Sequence, residues 1–595
     1  RDDLAKAKAG IADATETADA LRRSVHELLA AELLASGADP MLVVHARSIA
    51  PRWFERDASL AEAQRRLRRA RNVRGLFRAF RRRMREQAVV SHAGGLVHDM
   101  EELEHALHMA NASRQSLELE TSGGLDLTSV WPRLIEAEEN RRIQHGRWLN
   151  ASAHAESRVT SQARSTMALV ASALRAGRSA RREKLGRIHG ERIADALPLW
   201  IGTLRDVDDL LPRTPAMFDL VIVDEASQVD QISGAPALLR AGRAVVVGDP
   251  RQLRHVSFLS DAAIGEAIAA QGIADATDVG LLDVRRLSLF DLAAAAAPTI
   301  MLAEHFRSAP HLIGFSARHF YGGAVSIATT HPRNHDRDCI SVDAVPGTRD
   351  DKGVNVAEID HAIAIVRERL EAGRASGEPA RIGIVSPFRA QADAIEQRIV
   401  DEFTLDEIDE LALRVGTVHG FQGCERDLVI ISLALTADSS PSARGFLADP
   451  NLFNVMVSRA REEIVLVTSL PADTSGIVGD YMRYGSSPPS VPAARGRPTT
   501  TVEWIAGELA RGGVKPLANY PAGRHTLDLV FGEHDEAIGV TFGVHPEGPD
   551  AHIERRIALH RAGWEITEAF DTRWGERRTE LAVELILEAQ RRVPS

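Results

Sequence analysis

The sequence predicts an α/β protein built on parallel sheets, preceded by a long helical region and followed by a small α+β unit. Three observations carry this. Residues 1–195 are rich in Ala, Leu, Arg and Glu, with apolar residues at helical spacing in stretches such as ADALRRSVHELLAAELLA. From about 196 the texture changes to short apolar runs separated by helical stretches, the alternation of βαβ units. Between 478 and 500 the sequence GSSPPSVPAARGRPTTT is rich in Pro, Ser and Gly and reads as a linker.

Composition bounds the rest. At 595 residues and 64.7 kDa the chain is too long for one hydrophobic core. Its 44% hydrophobic and 26% charged content, with a mean hydropathy of −0.15, are those of a globular protein, neither disordered nor membrane-embedded. No apolar stretch reaches the roughly 18 to 20 residues a membrane span needs, and no basic-then-apolar leader opens the chain, so no membrane partner is expected. The two cysteines, Cys339 and Cys424, stand far apart and support neither a disulfide framework nor a zinc site. A cytoplasmic setting fits them. A net charge of −11 argues against a polyelectrolyte binder, while a local basic groove stays compatible with it. The chain begins at Arg1 in what reads as helix interior, so a fragment is expected.

Taken in order, 1–195 is expected to form antiparallel helices packed as a stalk. Its basic run at 65–86 is either the solvated face of a helix or a contact for nucleic acid or a partner. Residues 196–298 form a first α/β segment, closed by Ala293–Ala297, and 299–477 a second. After the 478–500 linker, 501–595 reads as a helix over Val502–Ala510, strands near Thr526–Phe531 and Ala537–Phe542, and a helix ending at Ala562.

The chemistry concentrates in FDLVIVDEASQVD, Phe218–Asp230. Its apolar run reads as a strand buried on both faces of a parallel sheet. Asp224 and Glu225 then fall at the carboxyl end of that strand, the edge where open α/β sheets bind ligands. Two adjacent acids there suit a nucleoside triphosphatase, the first holding Mg²⁺ and the second polarising the attacking water. A solvated Asp-Glu pair is the other reading. A second strand, Ala244–Val247, runs into Gly248-Asp249-Pro250-Arg251-Gln252-Leu253. There a glycine permits a tight turn, and Gln252 can reach a γ-phosphate or its water.

These two segments resemble motifs II and III of the superfamily 1 helicases, and further matches follow in that family's order. HFRS at His305–Ser308 is similar to motif IV, and SPFRAQ at Ser386–Gln391 to the segment after it. VGTVHGFQGCERDLVIIS at Val415–Ser432 resembles motif V, and NVMVSRARE at Asn454–Glu462 resembles motif VI. The DEAS, HFRS and FQGCE spellings, with PLWIGTLRDVDDLLP upstream, resemble the Upf/Dna-type branch, superfamily 1B. The resemblance covers about 196–475. It implies two RecA-like P-loop NTPase lobes with ATP and Mg²⁺ between them. By resemblance Asp224, Glu225, Gln252, Arg307 and Arg459 are catalytic, with Asp224 on the metal. Gly248, Asp249, Gln422, Gly423, Glu425 and Arg461 would meet the nucleotide, Glu425 at its ribose. Arg461 could also fill or support the arginine-finger role. Thr417, His419, Ser386 and Arg389 would meet a strand's phosphates.

One departure stands against these matches: no G-x-x-x-x-G-K-[ST] occurs in the 595 residues. The loop is expected upstream of Arg1, residues 1–195 resembling the helical insertion that separates motifs I and II in several members. The 501–595 unit resembles the Vsr-like, PD-(D/E)XK endonuclease-like domains through Glu503, Asp528 in HTLDLVF and the tail Glu554–Trp574. Such chemistry needs two or three carboxylates around Mg²⁺. The next strand offers Gly539 and Thr541 where the family has Glu, so a degenerate nuclease is expected. His545 and Glu547 are either loop residues or substitute ligands. The expected function is an ATP-dependent helicase or translocase on single-stranded nucleic acid, DNA before RNA, running 5′ to 3′ by resemblance. A non-hydrolysing scaffold and a structure-specific nuclease stay open beside it.

Overall fold

The computed structural model describes residues 2–36, 127–154, 160–256, 260–272, 283–334, 337–487, 493–570 and 578–592. They pack as two units, Arg1–Lys8 with Gly146–Pro492, and Ala9–His145 with Ala493–Ser595. Helix α1 (Asp2–Ser36) and helix α2 (Leu127–Ala153) open the described chain. The basic run at 65–86 lies outside the described residues.

The first unit holds both α/β segments. In the first segment β1 (Phe218–Val223) pairs in parallel with β2 (Ala241–Val246), joined through α3 (Gln231–Leu239). One face of this pair is covered: Val221, Val223 and Val246 pack on Leu238 of α3 and on Leu289 and Phe290 of α4 (Leu289–Ala296). The other face corrects the expectation of a strand buried on both sides. Leu220, Ile222 and Val245 are 48%, 64% and 47% exposed, because among the described residues the sheet has two strands; on that face Phe218, at the start of β1, packs against the helical core of Val170, Ala173, Leu185 and Ile193.

The second segment begins with the short parallel pair β3 (Glu304–His305) and β4 (Ser326–Ile327), flanking α5 (Pro310–His319). Its main sheet has five parallel strands in the order β5-β9-β8-β6-β7: β5 Ile340–Ala344, β6 Ile382–Ser386, β7 Arg414–Thr417, β8 Arg426–Thr436 and β9 Ala460–Ser469. Here the strands are buried on both faces. Val429, Ile431, Ile464 and Leu466 enter one core, and their neighbours Leu428, Ile430, Val465 and Val467 enter the core on the opposite face. Helices α6 (Val356–Ser376) and α7 (Arg389–Glu402) follow β5 and β6, α8 (Val418–Phe421) follows β7, and α9 (Pro450–Val457) leads into β9. Residues 476–485, partly read as linker, form helix α10 (Gly476–Gly485), whose Tyr481 and Met482 are buried in the same core.

In the second unit α1 and α2 run antiparallel, with Arg22 at 3.9 Å from Glu138 and Asp19 at 3.6 Å from Arg141. They pack with a four-stranded sheet unit: α11 (Thr500–Arg511), β10 (Leu517–Ala522), β11 (His525–Phe531), β12 (Ile538–Thr541), α12 (Pro549–Arg561), β13 (Glu565–Glu568) and α13 (Arg578–Arg592). Strands β10, β11 and β12 are antiparallel neighbours and β13 adds in parallel to β12. Helices α1 and α2 share a core with this unit: Val25, Leu29, Trp131 and Leu134 pack with Ile553 and Phe570.

Candidate nucleotide site between two parallel sheets

The chain turns sharply where β1 ends. Glu225 adopts φ 51°, ψ 36°, left-handed geometry that a side-chain-bearing residue rarely takes and that clusters at functional sites. The turn is held by Asp224, exposed, whose Oδ1 accepts from the Glu225 amide at 2.8 Å. Behind it the loop after β2 comes into contact. A Cβ on Gly248 would lie 2.7 Å from Ser227 Oγ and 3.0 Å from Ser227 N, so glycine is needed for the approach of the two loops, with no positive φ behind it. The Ala226 amide donates to Val247 O at 2.8 Å and closes the junction. In the next turn Asp249 Oδ2 accepts from Gln252 Nε2 at 2.9 Å, so the Gln252 amide is engaged within its own loop.

The second sheet presents its amino edge to these loops. Gln422 Nε2 donates to Glu225 Oε2 at 3.1 Å, an oxygen that Gln228 also reaches at 3.3 Å. Gly423 follows at φ 74°. Glu425, just before β8, accepts from Arg461 Nε at 2.9 Å and from Arg307, which also donates to Ser458 O at 3.2 Å. Burial raises the Glu425 carboxyl, but the two guanidiniums outweigh it and hold the group below its usual range. Arg459, just before β9, is only 5% exposed and is occupied, donating to Val455 O at 2.9 Å and Ser458 Oγ at 3.0 Å. Burial lowers its pKa, and the Glu425 and Glu225 charges offset this in part. Around this cleft Ser227 Oγ and Gln422 Oε1 are buried polar atoms with no hydrogen-bond partner.

The four residues expected on a nucleic-acid strand lie elsewhere. Ser386 and Thr417 are the last residues of β6 and β7, paired at the carboxyl edge. The amino and carboxyl ends of β8 are about 30 Å apart at strand spacing. Ser386 is fully buried and its Oγ accepts from the Phe388 amide, so it presents nothing to a strand. Thr417 Oγ1 caps α8 by accepting from Gly420 N at 3.3 Å. His419 and Arg389 are exposed.

In the second unit Glu503 is exposed on α11, and Asp528 Oδ2 accepts from Phe542 N at 2.7 Å. His545 Nδ1 accepts from the Glu547 amide at 3.2 Å, a local loop bond. Among the described residues no group of three or more His, Cys, Asp or Glu side chains is arranged to hold a metal ion.

Sequence reasoning missed Tyr321 and Asn451, and did not single out Leu253 within GDPRQL or Asn454 within NVMVSRARE. These four fasten the loop after β2 to the second sheet. No local pattern marks Tyr321.

Two AAA-domain family models match, over residues 58–258 and 286–470. The probable helicase MAGATAMA 3 of Arabidopsis thaliana is 26% identical over 277 residues, covering 44% of this chain and 31% of that protein. The DNA polymerase alpha-associated DNA helicase A of Saccharomyces cerevisiae is 26% identical over 286 residues, covering 43% and 38%. The matches thus span about a third of each relative's length. Among solved structures, arterivirus nonstructural protein 10 (helicase) aligns at 14% identity and a TM-score of 0.21, over 43% of this chain and 41% of that one. Over these stretches the chain is similar to AAA-domain proteins and to proteins named as helicases.

Proposed function

We propose that the protein is an ATP-dependent helicase or translocase whose nucleotide site is the cleft between the β1–β2 loops and the amino edge of the five-stranded sheet. One observation carries the reading: Glu225 is held in left-handed geometry at a strand end and is touched across the cleft by Gln422, the motif V glutamine. Adjacent exposed and half-buried carboxylates, two unpartnered polar atoms and three arginines suit Mg²⁺ and a polyphosphate. Bound ATP and Mg²⁺ would supply the phosphoryl group and the charge that draws the lobes together. Asp224 would hold the metal, Glu225 would take the proton of the attacking water, and Arg307 and Arg459 would neutralise the transferred group. The residues fit the metal-and-water half of the site; no GxxxxGK[ST] cradle is among these 595 residues.

Single-stranded nucleic acid, DNA before RNA, would run along the carboxyl edge past Thr417, where its phosphates would meet the exposed His419 and Arg389. The four-stranded unit is read as a degenerate PD-(D/E)XK fold, because Thr541 stands on β12 where a carboxylate ligand would be needed beside Asp528.

The test is strand-stimulated ATP hydrolysis by the full-length gene product. Glu225→Gln is expected to abolish it, and Arg459→Ala to slow turnover by about 10³ or more with a smaller change in KM. Wild-type turnover by Glu225→Gln would end the assignment.

A further inference from the structure

Tyr321 lies just beyond α5, in the segment that packs on the five-stranded sheet, yet its hydroxyl donates to Asp249 Oδ2 at 2.5 Å. That oxygen is the one that takes Gln252 Nε2 at 2.9 Å. Asn454 Nδ2, on α9, donates to the Tyr321 hydroxyl at 3.1 Å and to Arg251 O at 2.9 Å. Asn451 Nδ2 donates to Gln252 O at 2.7 Å and Pro250 O at 3.2 Å. Leu253 is 5% exposed and lies in the core of the second sheet. A loop that continues β2 by sequence is thus fastened to the other sheet by one aliphatic and three polar side chains. Burial and the neighbouring Asp249 push the phenol pKa up, so the hydroxyl keeps its proton and stays a donor.

We propose that Tyr321 is a positioning residue for Gln252: by holding Asp249 it sets the orientation of the Gln252 amide and makes the loop 249–253 travel with the second sheet. With its nitrogen engaged by Asp249, Gln252 keeps a carbonyl oxygen to accept from a water proton, the polarity a water-orienting residue needs. Closure and opening of the cleft would then move Gln252 relative to Glu225, which belongs to the β1 side. The role rests on the reading of the cleft as an ATP site and adds to it the residue that ties one catalytic loop to the far sheet.

Tyr321→Phe removes one oxygen and keeps the ring. In the full-length gene product it is expected to lower strand-stimulated turnover about ten- to a hundredfold, the scale of a catalytic group displaced by about an ångström, with KM for ATP within about twofold. Combined with Gln252→Ala it is expected to add nothing further. Hydrogen exchange of the 249–253 amides should speed up, while that of Val429 and Ile430 in β8 stays unchanged. Wild-type turnover by Tyr321→Phe, or a loss additive to that of Gln252→Ala, overturns the role and leaves the ATP reading standing. Wild-type turnover by Glu225→Gln overturns that reading, and the role with it.

Discussion

Glu425 shows at the scale of one residue how charge is stored in the cleft. It takes Arg307 on one oxygen and Arg461 on the other, so Arg307, the arginine expected at the phosphate, is parked on an acid just before β8. All three side chains are partly exposed, at 22% for Glu425, 36% for Arg307 and 46% for Arg461, so solvent screens the pairs and together they are worth about 1 kcal/mol. The folded-state pKa of Glu425 is depressed. The contribution is therefore complete above the ordinary carboxylate pKa and is lost as pH falls through the depressed value. Glu425→Gln is expected to lower the urea midpoint slightly at pH 7, and the difference from wild type should vanish in acid. A difference that persists below the carboxylate range would show that packing, and not the ion pairs, was lost. Arg307, freed in this variant, should also bind inorganic phosphate more readily.

Elements explain what the residues alone conceal. Glu358, in the first turn of α6, is wholly buried against the carboxyl ends of β8 and β9, accepting from Ser432 Oγ and Ala434 N at 2.8 Å, Ser469 N at 3.0 Å and Asn355 Nδ2 at 3.1 Å. It fixes the helix to the strand ends. Burial pushes its carboxyl up, and the Ala434, Ser432 and Ser469 donors offset this only in part. The folded chain thus holds that proton more tightly than the unfolded one, and stability declines as pH rises from the ordinary carboxylate value to the raised one. Glu358→Gln would turn an NH₂ against backbone donors. It should destabilise the sheet by about 2 to 3 kcal/mol and remove that slope, both read from urea midpoints at several pH values. A midpoint equal to wild type would show that the donors find other partners. Such groups were not legible in the sequence, whereas DEAS, GDPRQL, FQGCE and SRARE were. A catalytic loop keeps its chemistry within a few adjacent residues, but Glu358 meets Ala434 across 76 positions and Tyr321 meets Asp249 across 72. The strands divide the same way. The apolar runs of β8 and β9 are buried on both faces because a core covers each side of that sheet, while Leu220 and Ile222 of the like run in β1 stay exposed.

At the scale of the molecule, the division of the chain is the least legible feature, because it joins segments far apart in sequence. Trp131 of α2 donates its indole N–H to Glu568 Oε2 at 2.7 Å, across 437 positions, and both partners are buried. The other Glu568 oxygen takes His552 Nε2 at 3.1 Å, and His552 Nδ1 accepts from His545 N and Arg555, so the imidazole is neutral and the carboxylate ionised. A fragment of residues 493–595 would expose Ile553 and Phe570 and leave the buried Glu568 short of a donor. It is expected to unfold without a cooperative transition, whereas the same unit in the full chain unfolds sharply. Trp131→Phe keeps most of the apolar contact and removes one hydrogen bond to a charged group, a loss of about 2 kcal/mol. Acid should act on the same network. Burial holds His552 below the ordinary imidazole range and His525 down at about 4. The unfolded chain then binds protons first, so this unit's stability is complete above about pH 6.5 and falls as pH drops below it. Urea midpoints at pH 7.5 and 5.5 measure the drop. A 493–595 fragment with the full-chain midpoint at both values would show that α1 and α2 contribute nothing to this unit, and that Glu568 finds its donor elsewhere.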